Sequence, residues 1–202
     1  MKPWLLEILA CPMDKSYPLD AHFLSWETDE AEFDRFLEEY EGRTVEGEAA
    51  GIVKFEREGG EALLVSDEMT REPTPPAQYL EQLSVKLDEL KPIRDHTGSS
   101  SAKILELLRG PAGDVLRGAV ESSASVTSEA QFAEFLPELV LLNRYKLFVE
   151  VDEGLLSCPA CRRWYPIIET IPQMLPDALR DRKEDLAFLA RWSSVDFGDI
   201  RR

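Results

Sequence analysis

Two short turns at opposite ends of the chain constrain it most: Cys11-Pro12-Met13-Asp14 and Cys158-Pro159-Ala160-Cys161 share one frame, C-P-x-D against C-P-x-C. A C-x-x-C knuckle supplies two thiolates from a single turn. Zinc takes four tetrahedral ligands, so two knuckles brought together close a structural site. Asp14 stands where the second thiolate of the first knuckle would fall. Three thiolates and one carboxylate keep the formal charge of a four-thiolate site, although the harder oxygen lowers affinity. The expected ligands of a structural zinc are therefore Cys11, Cys158, Cys161 and Asp14. His22 is a rival fourth ligand from an expected strand, and His96 reads as a solvated loop histidine. The alternative for the thiols is burial as small hydrophobes, but proline beside cysteine twice suits a turn better than a core element. A thioredoxin-like dithiol is a further alternative. That chemistry needs a helix opening at the motif, whereas Arg162-Arg163-Trp164-Tyr165-Pro166-Ile167-Ile168 reads as a turn entering a strand.

The 202 residues hold 23 basic and 39 acidic side chains, a net charge of −16. That balance disfavours a grip on a phosphate backbone, which needs clustered lysine and arginine, so no direct nucleic-acid binding is expected. No apolar run approaches the ~20 residues of a membrane span. The start reads as lacking a signal peptide, and three cysteines without one point to a reducing, cytoplasmic setting. From Glu27 to Glu72 there are 16 acidic and 5 basic residues, so most of the excess charge lies in one segment. It reads as a solubilising face, with a surface complementary to a basic partner as the sharper alternative.

Patterning places a short helix at Pro3–Leu9 and a strand within Tyr17–Trp26. An amphipathic helix over Asp29–Tyr40 carries Phe33, Phe36 and Leu37. Gly51–Glu56 and Ala62–Val65 read as a hairpin joined across Gly59-Gly60. Glu72-Pro73-Thr74-Pro75-Pro76 breaks the chain before a helix with Tyr79, Leu80, Leu83, Leu87 and Leu90 on its face. Gly98-Ser99-Ser100-Ser101 hinges into another helix, and 110–126 is partly helical. Ser128-Glu129-Ala130-Gln131 has capping-box form, and Pro137 should divide the helix that follows. Lys146–Asp152 and Trp164–Ile168 read as strands. Asp177 is expected to cap a last helix with Leu179, Leu186 and Leu189 on one side.

The stretch Phe148–Leu175 contains E-G-x-L-x-C-x-x-C, an aromatic-Pro-Ile and I-P-x-M-L. In these motifs it resembles the small zinc-binding activator subunits of class I methyltransferases. Met1-Lys2 with Leu5, Leu6, Leu9 and Cys11-Pro12 is similar to that family's N-terminal half-knuckle. The likeness covers about residues 1–25 and 145–178. It departs from the family pattern at Asp14, in place of a cysteine, at Thr170, in place of a glycine before Ile-Pro, and in a longer middle. The resemblance implies an α+β fold. Both chain ends (1–26 and 145–178) would form a small antiparallel zinc-binding β domain. Residues 27–144 would be an acidic, mostly helical insertion, and 179–202 a C-terminal helix and tail.

The resemblance also implies a non-catalytic subunit that forms a heterodimer with a class I methyltransferase and supports its S-adenosylmethionine chemistry on tRNA, rRNA or release factor. The implied partner surface is Pro172, Met174 and Leu175, with Ile171, which reads equally as core, and Phe148 beside them. The alternatives are a nucleic-acid-binding zinc ribbon and a C-x-x-C redox protein.

Overall fold

The computed structural model describes residues 1–58 and 62–200. In chain order its elements are β1 (Asp20–Phe23), α1 (Glu30–Glu41), β2 (Lys54–Glu58), β3 (Ala62–Ser66), α2 (Pro76–Asp88), β4 (Ile93–Asp95) and α3 (Ser100–Arg109). There follow α4 (Pro111–Glu121), α5 (Glu129–Ala133), α6 (Leu136–Asn143), β5 (Gly154–Ser157), β6 (Trp164–Ile168), β7 (Ile171–Pro172) and α7 (Arg182–Arg191). The class is α+β, with strands toward both ends and helices in the middle. The chain forms two compact units: Met1–Thr28 with Pro92–Gly98 and Val149–Arg202, and Asp29–Lys91 with Ser99–Phe148.

The first unit is built on a five-stranded sheet of order β4-β1-β5-β6-β7. β1, β5, β6 and β7 pair antiparallel, with Phe23 opposite Gly154 and Gly154 opposite Ile167. β4 adds a parallel edge, Ala21 opposite Ile93, so the sheet is mixed rather than wholly antiparallel. A parallel pair needs a long crossover, and here the strand comes from the middle of the sequence. Its three residues are too few to leave a periodic signal. Gly154 is required where it stands: a Cβ there would lie 2.8 Å from the His22 carbonyl oxygen and 2.9 Å from Ile167.

His22, on β1, is fully buried, and its Nδ1 lies 2.9 Å from His96 Nε2 just beyond β4. The rings lie nearly parallel with centroids 5.1 Å apart, so the two histidines tie the parallel edge to the sheet, while His96 stays exposed in the loop after β4, as its sequence reading expects.

The second unit holds α1 to α6 and the β2–β3 hairpin; the expected Gly59-Gly60 turn lies outside the described residues. α1 buries Phe33, Phe36 and Leu37 as its spacing predicts. The capping box at Ser128 and Gln131 opens α5, and Pro137 sits in the first turn of α6, where its missing N–H costs nothing. Asp67, buried beside the hairpin, accepts hydrogen bonds from Tyr79 at 2.7 Å and Asn143 at 2.9 Å.

Three local expectations change. Lys146–Asp152 is not a strand. Arg144–Phe148 continues α6 as a π-helical turn that buries both Tyr145 and Lys146, which alternation could not do, and only Val151 bridges, to Trp26. The N-terminal helix is a 3-10 turn, Pro3–Glu7, whose three-residue period buries Pro3 and Leu6 and leaves Ile8 out. The last helix is capped by Asp181, which accepts from the Lys183 and Glu184 amides, and it buries Phe188 while Leu186 stays exposed.

β6 turns into β7 through Glu169 and Thr170, with φ of 47° and 65°. A two-residue hairpin turn of this hand needs both central residues left-handed. Thr170 therefore adopts the conformation a β-branched residue resists, held by the Ile168–Ile171 pair and by its amide donating to Asp152 O at 3.0 Å. Thr170→Gly should raise unfolding stability by about 1 kcal/mol, read by urea titration.

Burial, then His96 and Arg94, lowers the His22 pKa to about 4, while Asp196 opposes them. The unfolded chain protonates this residue near pH 6.5, so unfolding takes up a proton between those values. Stability should fall as pH drops through that window, by at most about 3 kcal/mol. His22→Asn should flatten the slope in urea titrations run from pH 6.5 to 4.5.

Candidate metal centre

The two knuckles fold alike. In the first, the Lys15 amide donates to Cys11 O at 2.9 Å and the Cys11 amide to Ser16 O at 3.0 Å. In the second, the Arg162 amide donates to Cys158 O at 2.8 Å and the Cys158 amide to Arg163 O at 2.7 Å. The residue after each C-P-x-C/D motif is left-handed, Lys15 with φ 64° and Arg162 with φ 59°. Asp14 thus occupies the place that Cys161 has in the other turn, and the shared tetrapeptide frame is a shared conformation.

The ligand atoms of Cys11, Asp14, Cys158 and Cys161 all lie within 4.8 Å of one another, close enough to hold a metal ion. Two contacts cross between the knuckles: Cys11 Sγ to Cys161 Sγ at 3.6 Å, and Cys158 Sγ to both Asp14 oxygens at 3.5 Å. A tetrahedral zinc with bonds of about 2.3 Å to sulfur and about 2.0 Å to oxygen sets S···S edges near ~3.8 Å and S···O edges near ~3.5 Å. The donor set and its spacing fit zinc.

Supporting groups surround the four. The Tyr165 hydroxyl, on β6 and fully buried, lies in hydrogen-bond contact with Cys11 Sγ at 3.2 Å, and the Cys161 amide donates to Cys158 Sγ at 3.4 Å. Burial raises the Cys11 thiol, but the Tyr165 hydroxyl and the Asp14 and Met13 amides outweigh it and leave its pKa below the usual value. Burial pushes Cys158 up to about 11. The Ser16 amide, then the Cys11 side chain, hold the Asp14 carboxyl well below the carboxylate range, so it is ready to ligate as an anion. Burial, then Cys11, drives the Tyr165 hydroxyl far upward, keeping it a donor. This supporting role of Tyr165 was not read from sequence, although the aromatic-Pro-Ile motif marks its position.

His22 is not in the cluster; its Nδ1 is engaged by His96. Cys158-Pro159-Ala160-Cys161 runs through a turn into β6 rather than opening a helix, so the context for a dithiol is missing. The other singled-out residues lie apart from the ligands in role. Ile171 is 59 % exposed and Leu175 39 %, with Pro172 and Met174 half-buried on the segment that ends the sheet at β7. Phe148 is 49 % exposed and closes the π-helical turn of the other unit, not a strand neighbouring β7.

A mixed sheet carrying two matched knuckles that converge on one four-residue cluster defines a β domain able to hold a metal ion, interrupted by a helical insertion. The chain belongs to the Trm112p-like protein family, whose pattern matches residues 2–169 and so spans both knuckles. Comparisons with curated proteins and with solved structures returned no match. The family supports a methyltransferase-activator role in general, that of a subunit rather than a catalyst. No described helix is long and apolar enough to cross a membrane.

Asp14→Ala should weaken metal retention by roughly 10–100-fold, and Asp14→Cys should strengthen it. Competition with a chromophoric chelator checks both; equal affinities in all three proteins would remove Asp14 from the ligand set.

Proposed function

We propose that this chain is a non-catalytic activating and stabilising subunit of class I S-adenosylmethionine-dependent methyltransferases acting on tRNA, rRNA or release factor in the cytoplasm. In this reading a structural zinc on Cys11, Asp14, Cys158 and Cys161 locks the two chain ends into one domain. The observation that carries it is the family match running through both knuckles, together with the approach of their four ligand atoms to within 4.8 Å of one another. Zinc here supplies folding energy, ~10–16 kcal/mol of apparent binding free energy in small zinc domains.

The partner surface in this reading is the segment Ile171, Pro172, Met174 and Leu175 at the sheet edge; Phe148, on the other unit, is a separate candidate. Proline at position 172 cannot donate to a further strand, and the exposed Ile171 and Leu175 leave apolar area where an edge needs covering. The Gln173 amide donates to Pro166 O at 2.8 Å, which fixes the segment against β6 and presents a rigid face. The −16 charge favours a protein partner over direct contact with RNA.

Isolated protein should neither bind S-adenosylmethionine measurably by calorimetry nor transfer methyl groups. A methyltransferase should co-purify with it from the native cell. Met174→Arg should cost about 2–4 kcal/mol of that association while zinc content and melting temperature hold. Glu38→Lys, on the acidic face of α1, should change it only mildly and with a salt dependence. Tight cofactor binding by the chain alone, or full co-purification with Met174→Arg, would overturn the reading.

A further inference from the structure

The residues after 176 lie beyond the matched family stretch and fold back within the first unit. The Asp177–Leu179 turn, α7 and the final loop bring Phe188, Phe197 and Ile200 onto Leu24, Leu155 and Trp164, with Leu189, Trp192 and Val195 around them. Trp164 is the centre of this contact. Phe188 stacks on it with centroids 6.0 Å apart, and the Arg180 guanidinium lies 4.3 Å from its ring while also donating to its carbonyl. Asp185 holds Arg180 through two bonds, at 2.8 and 2.9 Å.

The fastening runs straight out of the metal knuckle. Cys161 is a ligand, Arg162 donates to Asp199 at 2.7 Å, Arg163 to Asp177 at 2.9 Å, and Trp164 is the apolar anchor. Four consecutive residues therefore link the cluster to both ends of the C-terminal segment. Arg162 aims its side chain from a left-handed backbone, an arrangement the closed knuckle enforces. Two amide-to-carbonyl bonds, Arg162 to Cys158 at 2.8 Å and Cys158 to Arg163 at 2.7 Å, shape that turn, and a metal held by Cys158 and Cys161 would tie its two side chains as well.

The segment is held at a few points, Phe188, Phe197 and Ile200 on the apolar face and Trp192 donating to Glu153 at 2.8 Å. Phe188 is the one fully buried side chain of α7, Leu179 and Leu186 are 69 % and 58 % exposed, and the Arg162–Asp199 pair is open to solvent on both sides. Exposed ion pairs add little, so three buried side chains carry most of the hold, and terminal segments are where local opening costs least.

We propose that Asp177–Ile200 is a detachable strap whose closure over the Leu24–Leu155–Trp164 face is coupled to metal in the knuckle, through Arg162, Arg163 and Trp164. It rests on the zinc reading above. Metal loss frees the strap and bares that apolar face. Because coupling between two sites is reciprocal, opening the strap weakens metal binding by the same factor that metal loss opens the strap.

The test uses the full chain, zinc alone as probe, and hydrogen exchange of the 177–200 amides. Phe188→Asp, which touches no ligand, should expose those amides and lower zinc affinity roughly tenfold in chelator competition. Leu186→Asp, on the exposed side of the same helix, should change neither. Where Phe188→Asp does not fold, the milder Phe188→Ala replaces it, with the same two readouts expected to move together. A variant whose strap exchanges freely while zinc affinity stays at the wild-type value overturns the strap. Wild-type protein that takes up no zinc overturns the zinc reading, and the strap with it.

Discussion

Two turns drawn to one point hold the terminal unit together. Cys11 and Asp14 approach Cys161 and Cys158 at 3.6 and 3.5 Å across a chain separation of about 150 residues, and no hydrogen bond in the sheet does that work alone. Closing so long a loop is entropically costly in any chain, and a cross-link that spans it stabilises in proportion to the logarithm of its length. β1 follows the first knuckle and β5 precedes the second, so the antiparallel β1–β5 pair, Asp20 opposite Ser157, is in register as soon as the knuckles meet. The chain between them can then be long and mostly helical, and it returns to the sheet only at β4.

The two knuckles are also where the backbone is strained. Lys15 and Arg162 each hold a left-handed φ that glycine would adopt freely, and Thr170 does the same at the β6–β7 turn. At the knuckles the pair of amide-to-carbonyl bonds and the ligand cluster offset that cost; at Thr170 strand pairing does. Side chains at these positions bring something glycine cannot. Arg162 reaches Asp199, and Lys15 Nζ reaches Pro12 O at 3.2 Å across its own turn.

Much of this was legible because it depends on local spacing. The C-P-x-C and C-P-x-D frames, the capping box at Ser128, the Pro137 break and the Phe33–Phe36–Leu37 face are all fixed by neighbours a few residues apart. The cluster members Cys11, Asp14, Cys158 and Cys161 could be named for the same reason. What escaped depends on partners distant in sequence. β4 is too short for a pattern and exists because β1 offers an edge and His22 meets His96. Lys146 looked like the outward residue of a strand but is buried, with Glu89 accepting from its ammonium group. Leu186 has an apolar side chain at helical spacing, yet Phe188 is the residue that finds Trp164. Periodicity names a stripe; the facing surface decides which stripe is buried.

The acidic excess shows the same limit in electrostatic terms. Read as one solubilising face, the segment from Glu27 to Glu72 does leave Asp34 and Glu38 of α1 in water. Other acids of the helical unit point inward and are matched one by one. Asp67 is 4 % exposed between Tyr79 and Asn143, Glu138 is 1 % exposed with Arg43 at 2.8 Å, and Glu39 accepts from Arg144. A buried carboxylate without a partner is expensive, so each of these fixes the position of the group that satisfies it. The negative charge therefore does two physically distinct jobs: on the surface it repels polyanions and keeps the chain dispersed, and inside it orients the helices that the hairpin packs against. Net charge counts both jobs as one number, which is why composition alone could assign the first and not the second.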